Sequence, residues 1–134
     1  MTARMVKLWG LKSGEEGVRP MAELKTDFWA SALIRRASLG GAFAGVTRKG
    51  DADAGAVLVK VATLDRRARL YAPARDGAGE RVWLDLSSGS LGDDEAAVDE
   101  YVRKRASADP DLWVIEVEDK HGRHFLEERV DSKP

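Results

Sequence analysis

Apolar and polar residues alternate along this chain with two different periods. Residues 26–39 and 93–106 each carry apolar residues at the spacing of an amphipathic helix. The segments between and after them alternate at the period of a β-strand. Strands are predicted at 42–49, 57–61, 68–72, 81–86, 112–118 and 123–127.

The order of these elements predicts a single α+β domain. Short turns join consecutive strands, which therefore pair antiparallel. We expect one mostly antiparallel sheet of five or six strands with two helices on one face. Residues 1–20 are predicted to be a mobile N-terminal extension, 21–130 the domain, and 131–134 a C-terminal tail. Met1 and Met21 both stay open as the start of the protein.

Composition excludes several classes of protein. The 134 residues match one domain. The chain has no cysteine, which rules out thiol catalysis, cysteine-ligated zinc and iron–sulfur clusters and suits a cytoplasmic location. No apolar run reaches transmembrane length, so no membrane association is expected. No phosphate-binding loop or dinucleotide fingerprint is present, and no cofactor is predicted.

Charge is distributed unevenly between the two parts of the chain. Up to Arg81 there are 15 basic and 9 acidic residues, whereas the remainder has 7 basic and 14 acidic residues. Such polarity marks either a surface for a partner or two halves that neutralise each other in one domain. The second interpretation is favoured, because runs of charge usually form solvated faces.

Strand alternation predicts one candidate binding face. If Val57, Val59 and Val61 face the helices together with Leu70, Val82 and Leu84, the opposite face carries cations interleaved with aromatic rings. This basic and aromatic stripe consists of Lys60, Arg69, Tyr71, Arg81 and Trp83. Such a stripe suits a protein interface, or the stacking of bases between phosphate contacts. A solvated sheet face is the alternative interpretation.

Two pairs of carboxylates are candidate sites. Asp51 and Asp53 lie in a glycine-bounded loop and either contact a ligand or cap their own turn. Glu116 and Glu118 share one face of a strand, where pairing with basic neighbours is favoured over acid catalysis.

The two histidines give no metal site by spacing. His121 is predicted in an exposed turn and His124 on a strand surface, an arrangement that does not favour convergence on one ion. No catalytic residue and no metal ligand is therefore predicted.

Four segments carry a family resemblance: LKTDFWASALIRR, TRKGDADAGAVLVKV, DPDLWVIEVED and GRHFLEE. In this order and spacing, residues 21–128 resemble a family of short alphaproteobacterial proteins classified as a domain of unknown function. The resemblance implies a small bacterial protein of the cytoplasm and brings no activity, cofactor or catalytic residue with it.

The sequence favours a non-enzymatic protein-interaction or regulatory module with a protein partner. Its expected surface is the basic and aromatic stripe, with Asp51 and Asp53 alongside. One alternative is nucleic-acid binding through the same stripe. Another is a small metal-dependent hydrolase that uses Asp51, Asp53 and Glu116. The oligomeric state stays open.

Overall fold

The computed structural model describes residues 25–133, and the predicted extension 1–20 lies outside them. The described part contains two α-helices and six β-strands. The helices are α1 (Thr26–Leu39) and α2 (Glu95–Ala108), and the strands are β1 (Phe43–Arg48), β2 (Val57–Ala62), β3 (Ala68–Arg75), β4 (Arg81–Asp85), β5 (Trp113–Glu118) and β6 (Val130–Ser132). No helix in this part is long and apolar enough to cross a bilayer.

All six strands belong to one open sheet in the order β1-β5-β2-β3-β4-β6. The β1–β5, β2–β3 and β3–β4 pairs are antiparallel, whereas β2–β5 and β4–β6 are parallel. The prediction of an α+β fold with a mostly antiparallel sheet therefore holds, since three of the five strand pairs are antiparallel.

The predicted meander is present only in β2, β3 and β4. β5 lies between β1 and β2, and its parallel pairing with β2 becomes available because the connection through β3, β4 and α2 is long enough to cross over. Both β2 and β5 are dense apolar runs, VLVKVA and WVIEVE, with most residues buried. Strands buried on both faces are placed in the interior of a sheet.

The expectation that both helices cover one face was wrong. α1 packs in a core cluster with Val59 and Val61, whereas Val98 of α2 packs in a second cluster with Leu58 and Ala62. Because successive residues of a strand point to opposite faces, the helices lie on opposite sides of the sheet. An apolar β2 has two faces to remove from water, and each helix covers one of them.

The predicted strand at 123–127 is an irregular segment instead. It cannot pair back on β5, because β1 and β2 already occupy both edges of that strand. The Asp119 carboxylate accepts hydrogen bonds from the Arg123 amide and guanidinium at 2.8 Å, and Phe125 has a φ of 61°. The chain then reaches the far edge of the sheet, where β6 includes residues 131 and 132 of the predicted tail.

Candidate interaction surface

Lys60 does not belong to the predicted stripe. It lies directly opposite Leu70 in the β2–β3 register, so it faces α2 rather than solvent. Its buried Nζ lies 2.7 Å from Asp99, 2.8 Å from Glu95 and 3.6 Å from Glu116. Burial alone would lower the pKa of Lys60, but hydrogen bonds to Asp99 and Glu95 and the negative charge of Glu116 raise it above its usual value. The cluster ties α2 to the sheet.

The aromatic members of the stripe are in the core on the α1 side. Tyr71 and Trp83 are buried, and Trp83 stacks on Trp29 with ring centroids 5.4 Å apart. The Trp83 Nε1 donates to Glu128 at 3.1 Å. Arg81, the stripe residue at the start of β4, is exposed. The expected exposed stripe was therefore wrong in its geometry, since neither ring is available for stacking.

Arg69 belongs to a polar cluster that the sequence did not predict. Its guanidinium is 2.9 Å from the Asp85 carboxylate. The Tyr71 ring packs edge-on against the His124 ring, with ring centroids 5.2 Å apart. The His124 Nδ1 accepts a hydrogen bond from the Leu126 amide at 2.9 Å. Burial lowers the pKa of His124, an effect that the nearby Asp85 opposes. His124 is thus a half-buried loop residue, not a strand-surface residue.

The Asp51 side chain closes the loop at 50–55 by hydrogen bonds to amides of the same loop. The Asp51 carboxylate accepts from the Asp53 amide at 3.2 Å and the Ala54 amide at 2.9 Å. Asp53 instead lies 3.5 Å from Lys25 in an exposed ion pair. Asp51 therefore makes the capping contacts of the turn interpretation, and Asp53 does not.

The carboxylates and histidines do not assemble into a metal centre. Within residues 25–133, no group of three or more histidines, aspartates and glutamates could hold a metal ion. Glu116 is directed toward Lys60, and burial raises its pKa while the Lys60 charge opposes the rise. His121 is exposed in the turn after β5, as predicted.

The most unusual surface of the described part is the outer edge of β1. Of the five large apolar side chains that are exposed among residues 25–133, three lie within eight residues on or just before β1: Leu39 is 75% exposed, Phe43 73% and Val46 41%. We name β1 together with Leu39 the edge surface. β1 is the first strand of the sheet order, and its outer side has no neighbouring strand among residues 25–133.

The edge surface presents side chains on both faces of the sheet. Ala44 and Val46 pair with Val117 and Ile115, which belong to the α1 cluster. Phe43 pairs with Glu118 and therefore points to the α2 side. A register shift after Val46 leaves Thr47 as an extra residue, so the regular part of the edge is 43–46.

Sequence reasoning missed this edge because β1 was expected to pair with β2. One signal was present in the composition of the strands. The segment FAGVTR contains a glycine, a threonine and an arginine and lacks the dense apolar run of β2 and β5. Strands of this kind belong at an edge, where one side faces water.

A family model confirms the resemblance seen in the sequence. The model described as "Protein of unknown function (DUF1491)" matches residues 24–127. The chain belongs to the DUF1491 family. No curated protein matches it.

Solved structures with this fold include two of DUF1491 family proteins. The crystal structure of a family protein from Caulobacter crescentus CB15 is 53% identical with a TM-score of 0.72, covering 81% of this chain and 99% of that one. An NMR structure from the same organism is also 53% identical, with a TM-score of 0.71 and coverage of 82% and 98%. Protein Atu0922 from A. tumefaciens is 30% identical, with a TM-score of 0.65 and coverage of 84% and 98%.

Proposed function

We propose that this DUF1491 protein is a cytoplasmic, non-enzymatic protein-interaction module that docks a partner strand on the edge surface. The carrying observation is the exposure of Leu39, Phe43 and Val46 on and just before β1, whose outer side has no neighbouring strand among residues 25–133. The cysteine-free composition supports the compartment.

Two physical costs at this edge are removed by a docked strand. An open strand edge exposes backbone donors and acceptors that a partner strand can satisfy by β-addition. Burying one phenylalanine contributes about 1.5–3 kcal/mol, and Phe43 is exposed beside those groups. The only charged residue within β1 is Arg48 at its end, so residues 43–46 lack the charges that usually protect an edge.

The two alternative functions have less support. Nucleic-acid binding needs available cations and rings, but Lys60 and Arg69 are paired with carboxylates and Trp83 is buried. Metal-dependent hydrolysis needs converging carboxylates, but Asp51 accepts hydrogen bonds within its own loop and Glu116 contacts Lys60.

Capture of a partner by the full chain tests the proposal. The wild-type protein is compared with Phe43→Lys, Val46→Lys and the control Phe28→Lys, which places the same charge at a 68% exposed position on α1. We expect the two edge variants to lose a captured protein that the control retains, with or without nuclease.

Hydrogen exchange then locates the contact. We expect the backbone amides within residues 43–48 that point away from β5 to gain protection in the complex, since strand addition satisfies them directly. Equal capture by the edge variants and the control, or protection confined to other strands, would contradict docking at this edge.

A further inference from the structure

We propose that the strand docked on the edge surface is β1 of a second copy of this chain. The two β1 strands pair antiparallel about a two-fold axis, and the two six-stranded sheets become one. This inference rests on the proposed function and identifies the docked partner strand.

Charge selects the antiparallel orientation. β1 begins at Phe43, whose partner in β5 is Glu118, and it ends at Arg48 followed by Lys49. In an antiparallel pair the Arg48 end of one β1 lies beside the Phe43 end of the other, where Glu118 of the adjoining β5 supplies a negative charge. In a parallel pair the basic ends lie together and repel each other. These charges therefore favour the antiparallel direction over the parallel one.

Gly45 supplies a hollow at the centre of this edge. A Cβ built on Gly45 meets no atom within 4 Å, and its φ is not in the left-handed region. The monomer therefore has no need of glycine here, although glycine inside a strand costs about 0.5–1 kcal/mol relative to alanine. Such a glycine is accounted for by the close approach of another chain.

Phe43 supplies the matching projection. Gly45 and Phe43 are two residues apart and share the α2 side of the sheet, as their partners Glu116 and Glu118 show. With the axis at Gly45, Phe43 of each copy is a diagonal neighbour of Gly45 of the other, within reach of an aromatic ring. The ring can then cover the glycine backbone, a contact that stabilises glycine-containing edges. Symmetry makes this contact twice.

The opposite face of the same pair is also complementary. About the axis at Gly45, Ala44 of one copy lies opposite Val46 of the other, on the α1 side. A small and a branched apolar residue pack together without a charge between them. Both faces of the pair therefore bury apolar groups.

Sedimentation of the full chain over micromolar to millimolar concentrations tests the self-pairing. The decisive variant is Gly45→Thr, which fills the hollow with a strand-favouring residue for which the monomer has open space. We expect it to fold as the wild type does and to raise the dimer dissociation constant about tenfold or more. Phe43→Lys should act in the same direction, and Phe28→Lys should leave the constant unchanged.

The outcomes separate this inference from the proposed function. A wild-type chain that stays monomeric at millimolar concentration overturns the self-pairing, and so does a Gly45→Thr protein that dimerises like the wild type. If a different protein is then captured by the wild type and lost by Phe43→Lys, docking at the edge stands with another partner. If Phe43→Lys changes neither dimerisation nor capture, both proposals fail.

Discussion

Replacing Lys60 by methionine should destabilise the protein in a pH-dependent way. Methionine keeps the length and apolar stem of lysine but removes the ammonium that lies between Asp99, Glu95 and Glu116. Three carboxylates then face one another where a buried cation had separated them. Loss of the ammonium therefore weakens the contact between α2 and β2.

The magnitude follows from the burial of the partners. Removing one member of a fully buried ion pair costs about 3–5 kcal/mol. Here the Asp99 side chain is 55% exposed, so water screens part of the charge and we reduce the loss to about 2 kcal/mol. For a domain of this size, that loss lowers the melting temperature by about 8 °C.

Carboxylate protonation gives the sign of the pH dependence. Burial raises the pKa of Glu116 above its reference value of 4.5 while Lys60 opposes the rise. A group with a raised folded pKa contributes its full stability below the unfolded pKa and loses it as pH rises through the folded pKa. Without Lys60 the pKa of Glu116 rises further, so the variant should lose more stability between acidic and neutral pH than the wild type.

Urea unfolding at pH 7 and near pH 4 measures both effects. The control is Lys104→Met, which removes an exposed lysine from α2, the helix that carries Glu95 and Asp99. We expect Lys60→Met to be destabilised at pH 7 and the difference from wild type to shrink at the lower pH. A loss of equal size at both pH values would refute the electrostatic account, and no loss at pH 7 would refute the importance of the cluster.

Two further predictions concern the loop packing and the histidine. Gly50→Ala should destabilise the protein strongly in thermal unfolding, because the added methyl group overlaps the Asp111 carbonyl. The control Gly77→Ala has open space around the added methyl group and should be near neutral. Similar losses of stability in the two variants would refute the packing argument. Burial lowers the pKa of His124 below its reference value of 6.5. The contribution of His124 to stability is therefore fully present above pH 6.5 and is lost as the pH falls through the folded pKa. Protonation of Nδ1 then breaks the hydrogen bond that this atom accepts from the Leu126 amide. The wild type should therefore lose more stability than His124→Phe as the pH falls below 6.5, and parallel pH profiles would contradict this.

Local patterns predicted the elements of this protein well. The predicted helix at 26–39 coincides with α1, and the strand at 112–118 differs from β5 by one residue. The turn at Asp51 was also predictable, because a carboxylate caps amides two and three residues further along the chain. These features depend on neighbours in sequence.

The candidate site was less predictable, since it depends on register. The expected stripe placed Lys60 with Tyr71 and Trp83, but Lys60 pairs with Leu70, and Val59 pairs with Tyr71. A shift of one position exchanges the two faces of a strand. Lys60 therefore became a buried cation under α2, and the rings became part of the core under α1.

By itself, the sequence determined the helices, most of the strands and the family, because periodicity and turn chemistry act over a few residues. Only the tertiary structure decided the strand order, the helix on each face and the exposure of the edge surface. β5 comes to lie between β1 and β2 across a long connection, and no local pattern encodes that pairing. Its insertion leaves β1 at the border of the sheet, where Phe43 and Val46 are exposed and no further strand lies alongside within residues 25–133.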